Sequence, residues 1–143
     1  MRHTITLFTF LVIISTSAFS QADSTTFISK VWKMAPESVQ ITAKSRLEKM
    51  KKDNPAMAGQ VTVEMIAGMM SQSTFEFRAD GKYITETPQG TFEGTWKLSP
   101  DKTALITYVE PSGETTRKIQ RINEKLLTLK SSDNTLTSFY PAK

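Results

Sequence analysis

Phe75-Glu76-Phe77-Arg78-Ala79-Asp80-Gly81-Lys82-Tyr83, continued by Thr87-Pro88-Gln89-Gly90 and by Phe92-Glu93-Gly94-Thr95-Trp96-Lys97-Leu98, decides how the chain folds. Apolar and polar residues alternate one by one on both sides of an Asp-Gly turn, the period of strands that bury one face. Ala79-Asp80-Gly81 fits a three-residue hairpin loop in which Gly81 takes the left-handed conformation that closes a bulge. That loop sets Phe77 opposite Tyr83 and Phe75 opposite Thr85. A four-residue loop at 87–90 then sets Thr85 opposite Phe92 and Tyr83 opposite Gly94, where the Tyr83 ring can lie over bare backbone. In this register Phe75, Phe77, Tyr83, Phe92 and Trp96 share one face of the sheet.

Beyond this hairpin pair the same period continues. Turn signals stand at Ser99-Pro100-Asp101-Lys102, Pro111-Ser112-Gly113, Asn123-Glu124 and Ser132-Asp133-Asn134, leaving strands at about 103–110, 114–122, 125–131 and 135–140. With the three strands before residue 99 these make seven, and residues 27–34, which carry Trp32, read as an eighth. A meander of short strands either closes on itself or exposes two edges, and closure is the simpler outcome.

Helices are expected after the first strand. Pro36 suits a first helical turn, and Val39, Ala43, Leu47 and Met50 then recur with helical spacing up to Asp53. Asn54 is placed to cap a second helix that starts at Pro55. Between 55 and 71 two periods compete. Met57, Val61, Met65, Gly68 and Met69 share a helical side, while Val61, Val63 and Met65 alternate as a strand would. Helix is preferred, because the run exceeds strand length with no turn signal inside it. Lys44, Arg46, Lys49, Lys51 and Lys52 form a basic stretch on the first helix; such a run is a solvated face or a patch for an anionic surface.

Residues 1–22 have the layout of a secretory signal: Arg2, an apolar run from Ile5 to Ile14, and small residues at Ala18-Phe19-Ser20 or Ser20-Gln21-Ala22 for cleavage. The apolar run is interrupted by Thr6 and Thr9 and falls short of the roughly 20 apolar residues that span a bilayer. The expected product is one domain, residues 23–143, exported to the periplasm or the extracellular space and soluble. With no cysteine it carries no lipid anchor. Loss of Arg2 lowers the formal charge of +4 by one, too mild a balance to call for nucleic acid.

Composition also narrows the chemistry. The chain has no cysteine and a single histidine, His3, inside the leader, so thiolate chemistry, Cys-based metal sites and a histidine general base are missing from residues 23–143. No glycine-rich phosphate loop, dinucleotide fingerprint or EF-hand run occurs, and Asp101 and Asp133 read as turn formers. Glu76, Glu86 and Glu93 lie on strands, where two of them could face each other as an acid and a base. Alternation assigns them instead to the wet side of the sheet. No catalytic residue, metal ligand or cofactor site is expected.

The motifs Phe75-x-Phe77-x-x-Asp80-Gly81-x-Tyr83, Gly94-x-Trp96-x-Leu98-Ser99, Ile119-x-x-Ile122 and Leu127-x-Leu129, taken in order, resemble the bacterial lipocalin-like domain family over residues 27–140. The resemblance implies a mainly β fold: an eight-stranded antiparallel lipocalin-like barrel, with one or two helices inserted after the first strand and lying near one mouth. In lipocalins proper the first strand carries Gly-x-Trp. Here Trp32 follows Lys30, and the Gly-x-Trp that is present lies mid-chain. Barrels of eight strands either fill with side chains or hold one small ligand. Phe75, Phe77, Tyr83, Phe92, Trp96, Met65 and Met69 are therefore candidate lining for a small hydrophobic ligand, with Tyr83 as polar anchor. Three roles are weighed: an exported binding module, a filled barrel that meets a partner through loops or its basic helix, and a carboxylate-dependent hydrolase.

Overall fold

The computed structural model describes residues 21–143. Residues 1–20, which hold most of the leader read at 1–22 and its first cleavage motif, lie outside the described residues. In order, the elements are α1 (Gln21–Ile28), β1 (Val31–Met34), α2 (Pro36–Asp53), α3 (Pro55–Ala58), α4 (Val63–Gln72), β2 (Thr74–Phe77), β3 (Lys82–Thr87), β4 (Gly90–Leu98), β5 (Ala104–Val109), β6 (Gly113–Asn123), β7 (Leu126–Lys130) and β8 (Leu136–Pro141).

Each strand from β1 to β8 pairs antiparallel with the next, and β1 pairs with β8, so the sheet is a closed barrel of eight strands. The hairpin registers follow the sequence reading: Phe77 faces Tyr83 and Phe75 faces Thr85, and across the next turn Thr85 faces Phe92 and Tyr83 faces Gly94. Gly81 has φ +86° in its turn, where the Asp80 carboxylate accepts from the Lys82 N–H at 3.0 Å. The turn is thus fixed by local chemistry, glycine for the left-handed residue and aspartate for the turn hydrogen bond.

Connections alternate between the two ends of such a meander. The β2–β3, β4–β5 and β6–β7 turns and α1 mark one end, here called the floor. The α2–α4 crossover and the β3–β4, β5–β6 and β7–β8 turns mark the mouth. The main core lies toward the floor: Ile28, Trp32, Phe77, Trp96, Leu105, Leu127 and Leu129 are among its buried members. A second core joins α2 to α3 and α4 through Val39, Ala43, Leu47, Ala58, Ile66, Ala67 and Met70.

Two expectations are corrected. Residues 27–34 do not form one strand: α1 runs to Ile28 and β1 spans only Val31–Met34. The paired ladders with β2 and β8 cover only Val31–Met34, and the chain before them folds as a helix against the floor. Ile28 is fully buried there, and its carbonyl, freed at the helix end, accepts the Trp32 indole N–H at 2.9 Å. The segment 55–71 is helical but broken. Asn54 caps α3 by accepting from the Met57 N–H at 3.2 Å, and Thr62 caps α4 by accepting from the Met65 N–H at 3.3 Å. Thr62 sits in extended backbone, as an N-cap does, which is why Val61, Thr62 and Val63 imitate a strand in the sequence.

Docking of α2 onto the barrel follows from the shortness of β1. The β1–β8 ladder stops at Met34 and Phe139, and the chain then enters the helix: the Ala35 N–H donates to the Ser138 carbonyl at 2.8 Å. The Ser138 N–H, left without a strand partner on that side, donates to the buried Ser38 hydroxyl at 2.9 Å. Further along, Thr42 and Thr137 hydroxyls lie 3.3 Å apart, and Ser45 donates to Asp133 at 2.9 Å.

Candidate functional site

In the established register, side chains at every second position of each strand point into the barrel. On β2 to β4 these are Phe75, Phe77, Tyr83, Thr85, Phe92, Gly94 and Trp96. On β5 and β6 they are Leu105, Thr107, Val109, Thr115, Arg117 and Ile119. Trp32 on β1 and Leu127, Leu129, Thr137 and Phe139 on β7 and β8 share this inward side. The floor half is packed. Phe77 stacks on Tyr83 with ring centres 4.9 Å apart and meets Trp96 edge-on at 5.7 Å, and the Trp96 indole N–H donates to the Arg78 carbonyl at 2.7 Å. Phe75 meets Phe139 edge-on at 5.4 Å.

Above this layer is a narrow cleft of about 10 Å³ between Phe75, Tyr83, Thr107, Arg117 and Phe139, with Phe77, Leu105 and Leu129 beneath. That is room for one water-sized group. Burial pushes the Tyr83 phenol above its ordinary pKa, against smaller opposing pulls from the Thr85 hydroxyl and the Arg117 charge. Nearer the mouth the wall opens: Phe92 occupies an inward register position yet is 42% exposed, and Thr115 is exposed as well.

The seven residues proposed from the sequence therefore separate. Phe75, Phe77 and Tyr83 come together at the cleft. Trp96 belongs to the floor, and Phe92 stands toward the mouth. Met65 and Met69 ride on α4; Met65 is 54% exposed, and the Met69 sulfur accepts from the Gln89 side-chain N–H at 3.2 Å, on the β3–β4 turn at the mouth. Arg117, Thr107 and Phe139 were missed by the sequence reading. Thr115, Arg117 and Ile119 do share one parity, which was the available signal, but Arg117 beside Lys118 reads as part of a wet face.

The carboxylates lie elsewhere. Glu76, Glu86 and Glu93 take outward positions; Glu76 accepts from Arg78 at 2.9 Å, and Thr74 donates to Glu86 at 3.3 Å. Among the described residues no three His, Cys, Asp or Glu side chains gather in a way that could hold a metal ion. The basic residues of α2 are exposed, and Lys51 pairs with Glu48 at 2.7 Å. A wider surface groove of about 380 Å³ runs along the floor past Thr25, Gly81, Trp96 and Pro100. Its one indole donor is already committed to Arg78. No described helix is long and apolar enough to cross a membrane.

No known family model matches the chain, and no curated protein matches it. Two solved structures are similar. One is a DUF4847 family protein from Bacteroides vulgatus, with a TM-score of 0.50 and 15% identity over 82% of this chain and 95% of that one. The other is a lipocalin-like protein from Bacteroides uniformis, with a TM-score of 0.41 and 15% identity over 51% of this chain and 80% of that one. At this identity the likeness concerns the fold.

Proposed function

With a lipocalin-like barrel as its frame, we propose that the protein is an exported binding module, without catalytic activity, that takes a small lipophilic molecule at the mouth end of its barrel. The observation that carries this reading is the unequal filling of the interior. At the floor, Trp32, Leu127 and Leu129 are essentially inaccessible, whereas the inward-facing Phe92 keeps 42% of its surface in contact with solvent. An aromatic side chain turned into a closed barrel and left wet is unexpected in a filled core, and is what an apolar ligand would cover.

The test is displacement of the neutral fluorophore N-phenyl-naphthylamine by decanol, with Trp96 and Trp32 emission as a second signal. Saturable binding by the wild-type chain, weakened about tenfold in Phe92→Asp, is the expected result, as removing a buried aromatic contact costs about 1.5–3 kcal/mol. Absence of saturable binding refutes it. A second reading is favoured by the small volume of the cleft: a filled barrel that meets an anionic partner through α2. That reading requires an interaction abolished by neutralising Lys49, Lys51 and Lys52. Export is tested by sequencing the N-terminus of the mature protein.

A further inference from the structure

Among the described residues, every charged side chain on the eight strands takes an outward register position except one. Glu76, Glu86, Glu93 and Glu114 all face outward, as do Lys33, Lys82, Lys97, Lys118 and Lys130. Arg117 alone faces in, opposite Leu105 on β5 and sharing a face with Thr115 and Ile119. It is partly buried, and among the described residues neither a salt bridge nor a hydrogen bond engages its guanidinium. A cation drawn from water toward an apolar wall with no carboxylate to meet it is a standing cost, and one that an incoming anion removes.

We propose that Arg117 is the anion-recognition residue of this barrel, receiving the carboxylate of a fatty-acid-like amphiphile whose tail lies toward Phe92 and the mouth. The proposal rests on the lipophile-binding reading above and specifies its ligand. Two features favour a carboxylate. A guanidinium offers parallel N–H donors that match the two oxygens of a carboxylate. Hydroxyls of Tyr83 and Thr107 supply further O–H donors on the same wall. At about 10 Å³ the cleft has room for a head-group atom and not for a chain, which keeps the tail in the open half of the barrel.

The experiment compares decanoate, decanol and decylamine by probe displacement on the wild-type chain, Arg117→Gln and Arg117→Lys, with thermal melts to show that the variants fold. Decanoate is expected to bind at least about tenfold more tightly than decanol, in keeping with one charge-assisted hydrogen-bonded pair. Arg117→Gln should erase that preference, decanoate losing far more affinity than decanol, and Arg117→Lys should retain part of it. Equal binding of acid and alcohol by the wild type, or a preference that survives in Arg117→Gln, overturns the proposal and leaves lipophile binding intact. Benzoate, added to nitrogen-labelled protein, reads the site without a tail. A saturable shift of the Arg117 Nε–H resonance, in a protein that binds none of the decyl compounds, would sink the lipophile reading and with it the amphiphile proposed here, leaving an anion site at Arg117. An unmoved resonance overturns the anion site.

Discussion

Gly94 leaves no freedom of substitution. A Cβ built on it would stand 1.9 Å from the Tyr108 carbonyl oxygen on β5, a backbone atom that cannot step aside. The sequence places Gly94 opposite Tyr83 and assigns it the task of making room for that ring; the pairing is present, but the tighter constraint comes from the strand on its other side. Gly94→Ala should cost at least about 3 kcal/mol by chemical denaturation. Gly68, in the body of α4, has nothing within 4 Å of a built Cβ. Gly68→Ala should therefore stabilise by about 0.5–1 kcal/mol in the same assay. Tyr83 contributes to alkaline behaviour. Its folded pKa lies above the unfolded value, so the stability it contributes is complete below the unfolded pKa and is lost as pH rises toward and through the folded one. Denaturation midpoints should fall above pH of about 10 and fall less in Tyr83→Phe. The Asp80-Gly81 turn and both flanking registers were legible because each depends on chemistry within a few residues. Arg117 was not, since its inward side depends on the β5–β6 register and no local signal distinguishes it from Lys118.

Helix α2 replaces a strand partner that β8 lacks. Ser38→Ala would strand the Ser138 N–H beneath the helix, and a loss of about 1–3 kcal/mol in unfolding free energy is the expected outcome. Thr62→Ala should cost about 1 kcal/mol by removing the α4 cap. Elements with strong local punctuation were readable: Pro36, Asn54 and Pro55 announce their helices, and proline and asparagine-rich turns announce most of the strands. The first strand was not, because its length is set by the partners that β2 and β8 provide. Nor was α1, whose sequence carries no clear apolar face. Among its described residues, Ile28 is the one buried in the main core at the floor.

The whole molecule is a barrel sealed at one end and unevenly lined at the other, with the second core of α2–α4 beside its mouth. Ile28→Ala should cost about 2–4 kcal/mol by thermal or urea denaturation, the loss expected for a cavity among Trp32 and its neighbours. That fold was legible because closure is the economical answer to many short strands. The filling of its interior was not, because a period of two says which side a residue faces and not how close the opposite wall stands.

The seam between β1 and β8 joins Trp32 to Pro141 and Met34 to Phe139, so its two sides are drawn from opposite extremes of the domain. During synthesis the edge of β1 that faces β8, and the Ser38 hydroxyl, must wait without their partners until residues 136–141 have been made. A chain that stopped short of β8 would thus keep most of its hairpins and have no closed wall, with raw edges open to its neighbours.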